Sequence, residues 1–415
     1  MTSAVLYAPS TARSVTVIAR LRKPVATVVL ILGMLFATSS WIHLEVPQTT
    51  GSHLVGRQEF LWTDSTRPEL ATPNFDDHRQ TGLVVWYPAA PGTGTPAPYV
   101  PDLEGIKAGL AESGELSSIL VTGLRWVRTN SLQNAAIDPS ATRYPLLLLS
   151  PGNATNVEFY ASLAEDLASN GYVVVGVNHP FQVTAMSLSD GSTAVYNASA
   201  DAGAGSQATK IAERVADVEF VLRRLTEEVA SGQFLDGKVD MSRVGVLGHS
   251  NGGLTATEAC RASDIVDACM NIDGQAASGP FGTANEPSPV GDPFMYLTKE
   301  AELHPVLAAT FEQSGKGTFR VVVPAATHAQ FGDGALFEPG FWPIQRTADE
   351  VHIVTRGFAR AFFDQYLAFF DQDMAFFDQD RGGSVDRQLD IVDAPTDVYL
   401  FGYPLGADQP TASEG

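Results

Sequence analysis

Five residues, Gly248-His249-Ser250-Asn251-Gly252, constrain this chain more than any other stretch of it. They follow the strand-like run Arg243-Val244-Gly245-Val246-Leu247 and open the helix-like run Gly253-Leu254-Thr255-Ala256-Thr257-Glu258-Ala259. A serine hydroxyl is a weak nucleophile. To attack a carbonyl it must stand clear of a sheet edge, beside a base, with backbone N–H groups nearby. A strand-turn-helix elbow achieves this by holding Ser250 in a strained backbone conformation, and Gly248 and Gly252 leave room for the turn. The plainer alternative is a glycine-rich loop with an idle serine.

The surrounding pattern is that of an α/β chain. Apolar strand candidates at Pro145–Ser150, Tyr172–Asn178, Arg243–His249, Ala268–Asp273, Pro293–Thr298 and Phe319–Pro324 alternate with helical stretches near 157–169, 205–230, 251–262 and 345–380. Continuous Val/Leu/Ile strands separated by helices predict a mostly parallel central sheet with helices on both faces. Leu54–Trp62 and Gln80–Tyr87 are earlier strand candidates, placed as an antiparallel edge. Residues 88–101, rich in Pro, Gly and Thr, read as a loop, and 102–128 carry helical periodicity. With no linker after residue 80, the 415 residues suggest one catalytic domain over 55–401, preceded by a linker at 40–54 and followed by a disordered tail at 402–415.

The first 39 residues read as a targeting segment. Arg13, Arg20, Arg22 and Lys23 precede the apolar run Val25–Ala37, and Ala37-Thr38-Ser39 offers small residues for cleavage. The run suits a signal peptide, although Pro24–Leu44 is long enough for an uncleaved anchor with Trp41 at the interface. Either way the protein is expected to be exported, as a secreted protein or one held at the outer face of the cell membrane. The formal net charge of −21 argues against nucleic acid and against electrostatic docking on anionic lipid. The two cysteines, Cys260 and Cys269, suggest a disulfide in an exported protein, with a pair of buried thiols as the alternative. Ala361-Phe362-Phe363-Asp364-Gln365 recurs at Ala368 and Ala375, a heptad repeat over 361–381 that aligns Phe362, Phe369 and Phe376 on one helical face. It reads either as a tandem duplication lengthening a helix or as an apolar edge for a lid, a partner or a lipid interface.

Ser250 requires a base. Of the eight histidines, His328 directly follows the last strong strand, in Ala326-Thr327-His328-Ala329-Gln330-Phe331, where a loop can return to the elbow. His249 is expected to point away, and His179 precedes the serine in the chain. The acid that orients the base should lie between Ser250 and His328. Asp273, ending the strand after the elbow in Asn271-Ile272-Asp273-Gly274, is one candidate; Glu300 and Glu302, after the following strand, are the others. The oxyanion hole needs two backbone donors. Asn251 supplies one, and Asn153, in Pro151-Gly152-Asn153-Ala154, is the expected second. Asn153-Ala154-Thr155 is also a glycosylation sequon, but a glycan there would obstruct the site. No Cys/His cluster has zinc spacing, no P-loop is present and no G-x-G-x-x-G follows a strand, so neither metal nor cofactor is expected.

The chain resembles the α/β-hydrolases of the platelet-activating-factor acetylhydrolase type, the plasma and intracellular type II lineage with its bacterial relatives. The residues that carry the resemblance are Thr50-Gly51-Ser52-His53-Leu54-Val55-Gly56, Thr63-Asp64-Ser65-Thr66-Arg67, Val84-Val85-Trp86-Tyr87-Pro88, Tyr144-Pro145, Ala168-Ser169-Asn170-Gly171-Tyr172, the elbow, Asn271-Ile272-Asp273-Gly274 and His328-Ala329-Gln330-Phe331-Gly332-Asp333. An acid only 23 residues after the serine is the discriminating feature, and it favours Asp273 over Glu300. The family often has Ser-His-Gly where this chain has Ser150-Pro151-Gly152. The resemblance implies an α/β-hydrolase fold and a calcium-independent serine esterase with Ser250 as nucleophile, Asp273 as orienting acid and His328 as base. The implied substrate is a small-molecule or lipid ester of short-acyl or phospholipid type; a cutinase-like polyester hydrolase or a dienelactone-type hydrolase is the alternative. A non-catalytic hydrolase-fold binding protein is the reading from a different class. Oligomeric state is not legible.

Overall fold

Four leucines in a row after Tyr144-Pro145 have no polar face to turn to water, so they demand a strand covered on both sides. In the computed structural model that strand, Tyr144–Ser150, is buried along its whole length at the middle of an 11-stranded sheet. The structure describes residues 45–74, 76–113, 122–197, 206–275, 289–290, 293–299, 305–314, 317–337, 347–368 and 398–403, all in one unit that starts at Glu45. The targeting segment, Glu300 and Glu302, the heptad copies beyond Ala368 and residues 404–415 lie outside them.

In chain order the elements are β1 (Leu54–Pro68), β2 (His78–Ala89), β3 (Thr95–Pro98), α1 (Leu103–Ser113), β4 (Arg128–Gln133), β5 (Tyr144–Ser150), α2 (Ala161–Ser169), β6 (Val173–Asn178), β7 (Ala185–Ser187), β8 (Thr193–Val195), α3 (Ser206–Ala230), β9 (Val239–His249), α4 (Asn251–Ala262), β10 (Ala268–Ile272), β11 (Phe294–Thr298), α5 (Pro305–Gln313), β12 (Thr318–Val322), α6 (Ala348–Phe363) and β13 (Tyr399–Tyr403). The sheet order is β13-β12-β11-β10-β9-β5-β6-β2-β1-β4-β3, with β7 and β8 forming a separate ribbon. The strands from β12 through β6 run parallel. Antiparallel β13 flanks them on one side and the long β1–β2 hairpin on the other.

Strand alternation assigns the helices to faces. Leu146, Leu148, Val244 and Val246 join one core cluster with Val218, Val221, Leu222 and Leu225 of α3, Ala256 and Ala259 of α4, and Phe311 of α5. On the other face Gly245 abuts Leu147, Phe363 of α6 and Leu367. The sheet is thus covered on both sides, as an α/β-hydrolase fold requires. Thr347 and Glu350 start α6 with reciprocal side-chain-to-backbone bonds of 3.2 and 2.9 Å.

Several expectations need correction. Residues 45–53 are not a free linker. Val46 is buried and its N–H bonds Arg128 O, Thr50 N–H bonds Asp166 Oδ1 at 2.7 Å, and Gly51 N–H bonds Ser169 Oγ at 3.0 Å. The β1–β2 hairpin is not the edge, because β4 pairs with β1 and β3 with β4. The helical reading of 102–128 holds for α1, but a polar strand follows from Arg128, and the expected loop at 88–101 contains β3. Gly402 and Tyr403, assigned to the tail, pair with Phe319 and Thr318. The terminal helix runs through α6 into a wider π turn at Asp364–Ala368. The disulfide expected of Cys260 and Cys269, by contrast, is present and joins the end of α4 to the start of β10.

At the elbow, backbone meets backbone with no room for a side chain. A Cβ on Gly252 would overlap the Ser150 carbonyl and lie 2.6 Å from Pro151 O, and one on Gly248 would meet Gly252 O. Gly252→Ala should therefore cost about 2 kcal/mol or more, from overpacking against unyielding backbone. Gly334→Ala, where a Cβ meets nothing within 4 Å, is the control. Thermal unfolding of both variants checks this, and an unchanged Tm for Gly252→Ala contradicts it.

Candidate active site

Chain order reverses between β5 and β9. From β5 the chain crosses through α2 to β6 on one side; from β9 it crosses through α4 to β10 on the other. The loops leaving β5 and β9 therefore diverge, and open a crevice at the carboxyl ends of the parallel strands. Ser250 sits there, between β9 and α4, with φ 57° and ψ −121°. That conformation costs a non-glycine residue on the order of 1–3 kcal/mol. Bonds on both sides hold it: Ser250 N–H donates to Ile272 O at 2.9 Å, and Leu254 N–H donates to Ser250 O at 3.1 Å.

The structure brings the three expected side chains together. Ser250 Oγ lies 2.9 Å from His328 Nε2, and His328 Nδ1 lies 2.6 Å from Asp273 Oδ2. The carboxylate accepts from Nδ1–H, which fixes the tautomer and leaves Nε2 to accept the serine proton. Asp273 directly follows β10, at φ 48°. Its second oxygen accepts from Thr298 Oγ1 at 3.0 Å and from the Lys299 N–H at 3.3 Å. Burial pushes this carboxyl up, but the His328 bond and charge and the Lys299 and Thr298 donors outweigh it, so Asp273 titrates below the usual carboxylate range. The Asp273 side chain is 2% exposed and the His328 side chain 48%, so the carboxylate is enclosed while the imidazole faces the crevice. The end of β11, near which Glu300 and Glu302 were rival acids, here supports Asp273.

His328 rides on a short 3₁₀ turn, His328–Phe331, begun by Thr327, whose N–H donates to Gln330 Oε1 at 2.8 Å. Asp333 anchors the loop beyond it. Its carboxylate accepts from the Ser162 N–H at 3.1 Å and from the Ser162 hydroxyl, which also lies 2.9 Å from His352 Nδ1. Burial pushes Asp333 up to about 7, and the Ser162 bonds only partly offset this.

His249 does not point away, as expected, but packs against the base. Its ring centroid is 4.5 Å from that of His328, and its Nδ1 is 2.8 Å from the Tyr160 hydroxyl. Burial lowers it to about 3, and neighbouring His328 adds to the effect, so it stays neutral. His249, Asp273 and His328 are, among the described residues, the one group with metal-ligand spacing. The bonds to Tyr160, between Asp273 and His328, and to Ser250 already occupy four of their ligating atoms.

The second donor loop, Pro151–Ala154, faces the elbow: a Cβ on Gly152 would lie 3.6 Å from Ser250 Cβ. Asn153 and Asn251 flank the crevice and are half-buried. Asn153 Nδ2 donates to the Tyr196 hydroxyl at 2.7 Å, and Asn251 Oδ1 accepts from Gln207 at 3.3 Å. As the first residue of α4, Asn251 presents an N–H that helix geometry leaves without an intrahelical acceptor. Sequence reasoning missed a second, buried array beneath this loop. Ser150 Oγ is 2.9 Å from His179 Nε2, and His179 Nδ1 is 2.8 Å from Asp217 Oδ2. Asp217 also accepts from Arg79 and Arg67. Ser150 is only 1% exposed, so this copy of the Ser-His-Asp pattern cannot meet a substrate. The hint available in the sequence was His179 directly after an apolar strand.

Residues 38–272, more than half of the chain, match the family model described as platelet-activating factor acetylhydrolase, isoform II. The chain belongs to this family. The match includes Ser250 and Asn153 and stops before Asp273 and His328. A curated relative from Arthroderma benhamiae, named a probable 1-alkyl-2-acetylglycerophosphocholine esterase, is 26% identical over 149 residues. That alignment covers 35% of this chain and 36% of the relative, so the chain spans little more than a third of that protein's length. Among solved structures, a ferulic acid esterase from Streptomyces cinnamoneus superposes with a TM-score of 0.64 at 28% identity, covering 78% of this chain and 93% of that one.

The buried array gives the fold a pH dependence. Burial, with the Arg214 charge adding to it and the Asp217 bond opposing it, lowers His179 to about 4. The unfolded chain then holds the extra proton, so the contribution of His179 to stability is complete above the ordinary imidazole value of about 6.5 and is lost as pH falls through about 4. His179→Gln should flatten the decline of stability across that window by about one proton's worth of slope. Tm measured against pH for both proteins checks it; identical slopes contradict it.

Proposed function

We propose that this protein is an exported serine carboxylic-ester hydrolase that works through an acyl-enzyme on Ser250. The observation that carries this reading is the unbroken chain Ser250–His328–Asp273, built on a strained elbow at the sheet's topological switch point. Ser250 Oγ attacks the ester carbonyl carbon as its proton passes to His328 Nε2. The carbonyl π electrons move onto oxygen, which takes hydrogen bonds from the Asn251 and Asn153 N–H groups. Asp273 balances the imidazolium. Collapse breaks the bond to the alcohol oxygen, which leaves with the proton from His328. Water then gives its proton to the same nitrogen, attacks the acyl carbon and releases the acid, and Ser250 recovers its proton. No step requires a metal, so activity should persist in EDTA; loss that a divalent cation restores would contradict the scheme.

Family membership and the name of the Arthroderma benhamiae relative support short-acyl or phospholipid-type esters as substrates. A second reading, an aromatic-acid ester, draws on the ferulic acid esterase, whose chain this one covers almost completely. A panel of p-nitrophenyl esters, acetylated phospholipids, feruloyl esters and polyester film separates them by kcat/KM. Export is supported by the cationic-then-apolar start of the chain and by the Cys260–Cys269 disulfide, since disulfides persist in oxidising compartments. Contact with a membrane or lipid interface, through a retained anchor or the heptad phenylalanines, belongs to the same proposal; loss of activity on vesicles but not on soluble esters after deletion of residues 368–381 is its test.

Ser250→Ala should lose several orders of magnitude in kcat while keeping its Tm. Asp273→Asn should lose on the order of 10⁴, because an amide favours the wrong imidazole tautomer. Steady-state kinetics on a p-nitrophenyl ester reads both. Retention of more than about a tenth of wild-type turnover by Ser250→Ala removes Ser250 from the mechanism.

A further inference from the structure

The Pro151–Ala154 loop rests on a buried cation, Arg214. Two of the loop's N–H groups have protein acceptors: Gly152's donates to the Tyr160 hydroxyl at 3.1 Å and Ala154's to Gln182 O at 2.9 Å. Between them lies the Asn153 N–H, which shares one peptide plane with the Gly152 carbonyl. In a trans peptide the two point in opposite directions, so whatever aims Gly152 C=O also aims Asn153 N–H.

Arg214 of α3 bonds that carbonyl and the one before it. Its Nη1 donates to Pro151 O at 2.6 Å and its Nη2 to Gly152 O at 3.3 Å. The other edge of the guanidinium holds Gln182, Nε to Oε1 at 2.8 Å and Nη2 to the carbonyl at 3.3 Å, the same carbonyl that fixes Ala154. Arg214 is fully buried. Burial lowers it to about 10, with nearby Asp217 opposing the shift, so it stays charged at neutral pH. A planar fork that spans two successive carbonyls is a task for arginine, because an ammonium offers neither the reach nor the plane. A positive charge on a peptide oxygen also polarises that peptide and strengthens its N–H as a donor.

We infer that Arg214 is a positioning residue for ester hydrolysis: by gripping the Pro151 and Gly152 carbonyls from behind the loop, it directs the Asn153 N–H at the oxyanion formed on attack by Ser250. This rests on the proposed serine mechanism.

The test compares Arg214→Gln and Arg214→Lys with wild type on p-nitrophenyl acetate. Active sites are counted by labelling to completion with a fluorophosphonate, so misfolded protein drops out. A trifluoromethyl ketone, which forms a tetrahedral oxyanion with the serine, reports on the hole itself. Arg214→Gln should lose about 10²-fold in kcat per labelled site, with KM changing little. Its ketone affinity should weaken by the same factor as kcat/KM. Arg214→Lys, which keeps the buried charge without the fork, should fall between the two and carries the test if Arg214→Gln does not fold. Wild-type turnover per labelled site in the folded variants overturns the inference, as does a loss of kcat that the ketone affinity does not follow. A wild-type protein that the fluorophosphonate fails to label overturns the nucleophile assignment, and this inference with it.

Discussion

The close approach of two backbones, where β5 and β9 end, governs the rest of the crevice. Gly248 and Gly252 let the elbow lie against the Ser150 and Pro151 carbonyls with no side chain between. That contact places the Ser250 hydroxyl and the donor loop side by side. It also obliges Ser250 to take a left-handed conformation, whose strain of about 1–3 kcal/mol must be offset elsewhere. The offset lies in the strands themselves: every residue of β5 and of β6 is buried. A rigid, doubly covered sheet can hold a local conformation that a loop on the surface would relax.

Four histidines show how environment divides one residue type into different tasks. His328 is half exposed and bridges Ser250 and Asp273. His249, lowered to about 3, packs against it at a tilt and bonds the Tyr160 hydroxyl. His179 and His352, each lowered to about 4, are buried and hold Ser150 and Ser162. Because burial keeps the last three neutral, they steady the base and its loops without adding positive charge to the crevice. Arg214, by contrast, is a buried cation, and it donates to the Pro151 and Gly152 carbonyls of the loop facing Ser250.

The parallel strands and the elbow were readable because their signals are local. Runs such as Leu146–Leu149 and Val173–Val175 leave no alternative to a buried strand, and the serine between two glycines implies its own turn. His328 is expected from its loop after the last strong strand, and Asp273 from the end of the strand after the elbow. The spacing that favours Asp273 over Glu300 comes from the family resemblance, and the structure brings His328 and Asp273 to Ser250. The parts that were not readable depend on distant partners. β4, Arg128–Gln133, is mostly polar and becomes a strand by pairing with β1 and β3. Residues 45–53 resemble a linker until Asp166 and Ser169 take up their N–H groups. No periodicity in α3 sets Arg214 apart from its other arginines; only the loop folded against it does.

The central claim is that Ser250 carries the acyl group during turnover. Incubating the enzyme with p-nitrophenyl acetate, quenching in acid within the first turnovers and mapping the peptides by mass spectrometry tests it directly. The account predicts one added acetyl group on the peptide bearing Ser250, and none on that peptide in Ser250→Ala. An acetyl group found on another residue, or steady hydrolysis with Ser250 unmodified in an enzyme slow enough to accumulate the intermediate, would contradict it.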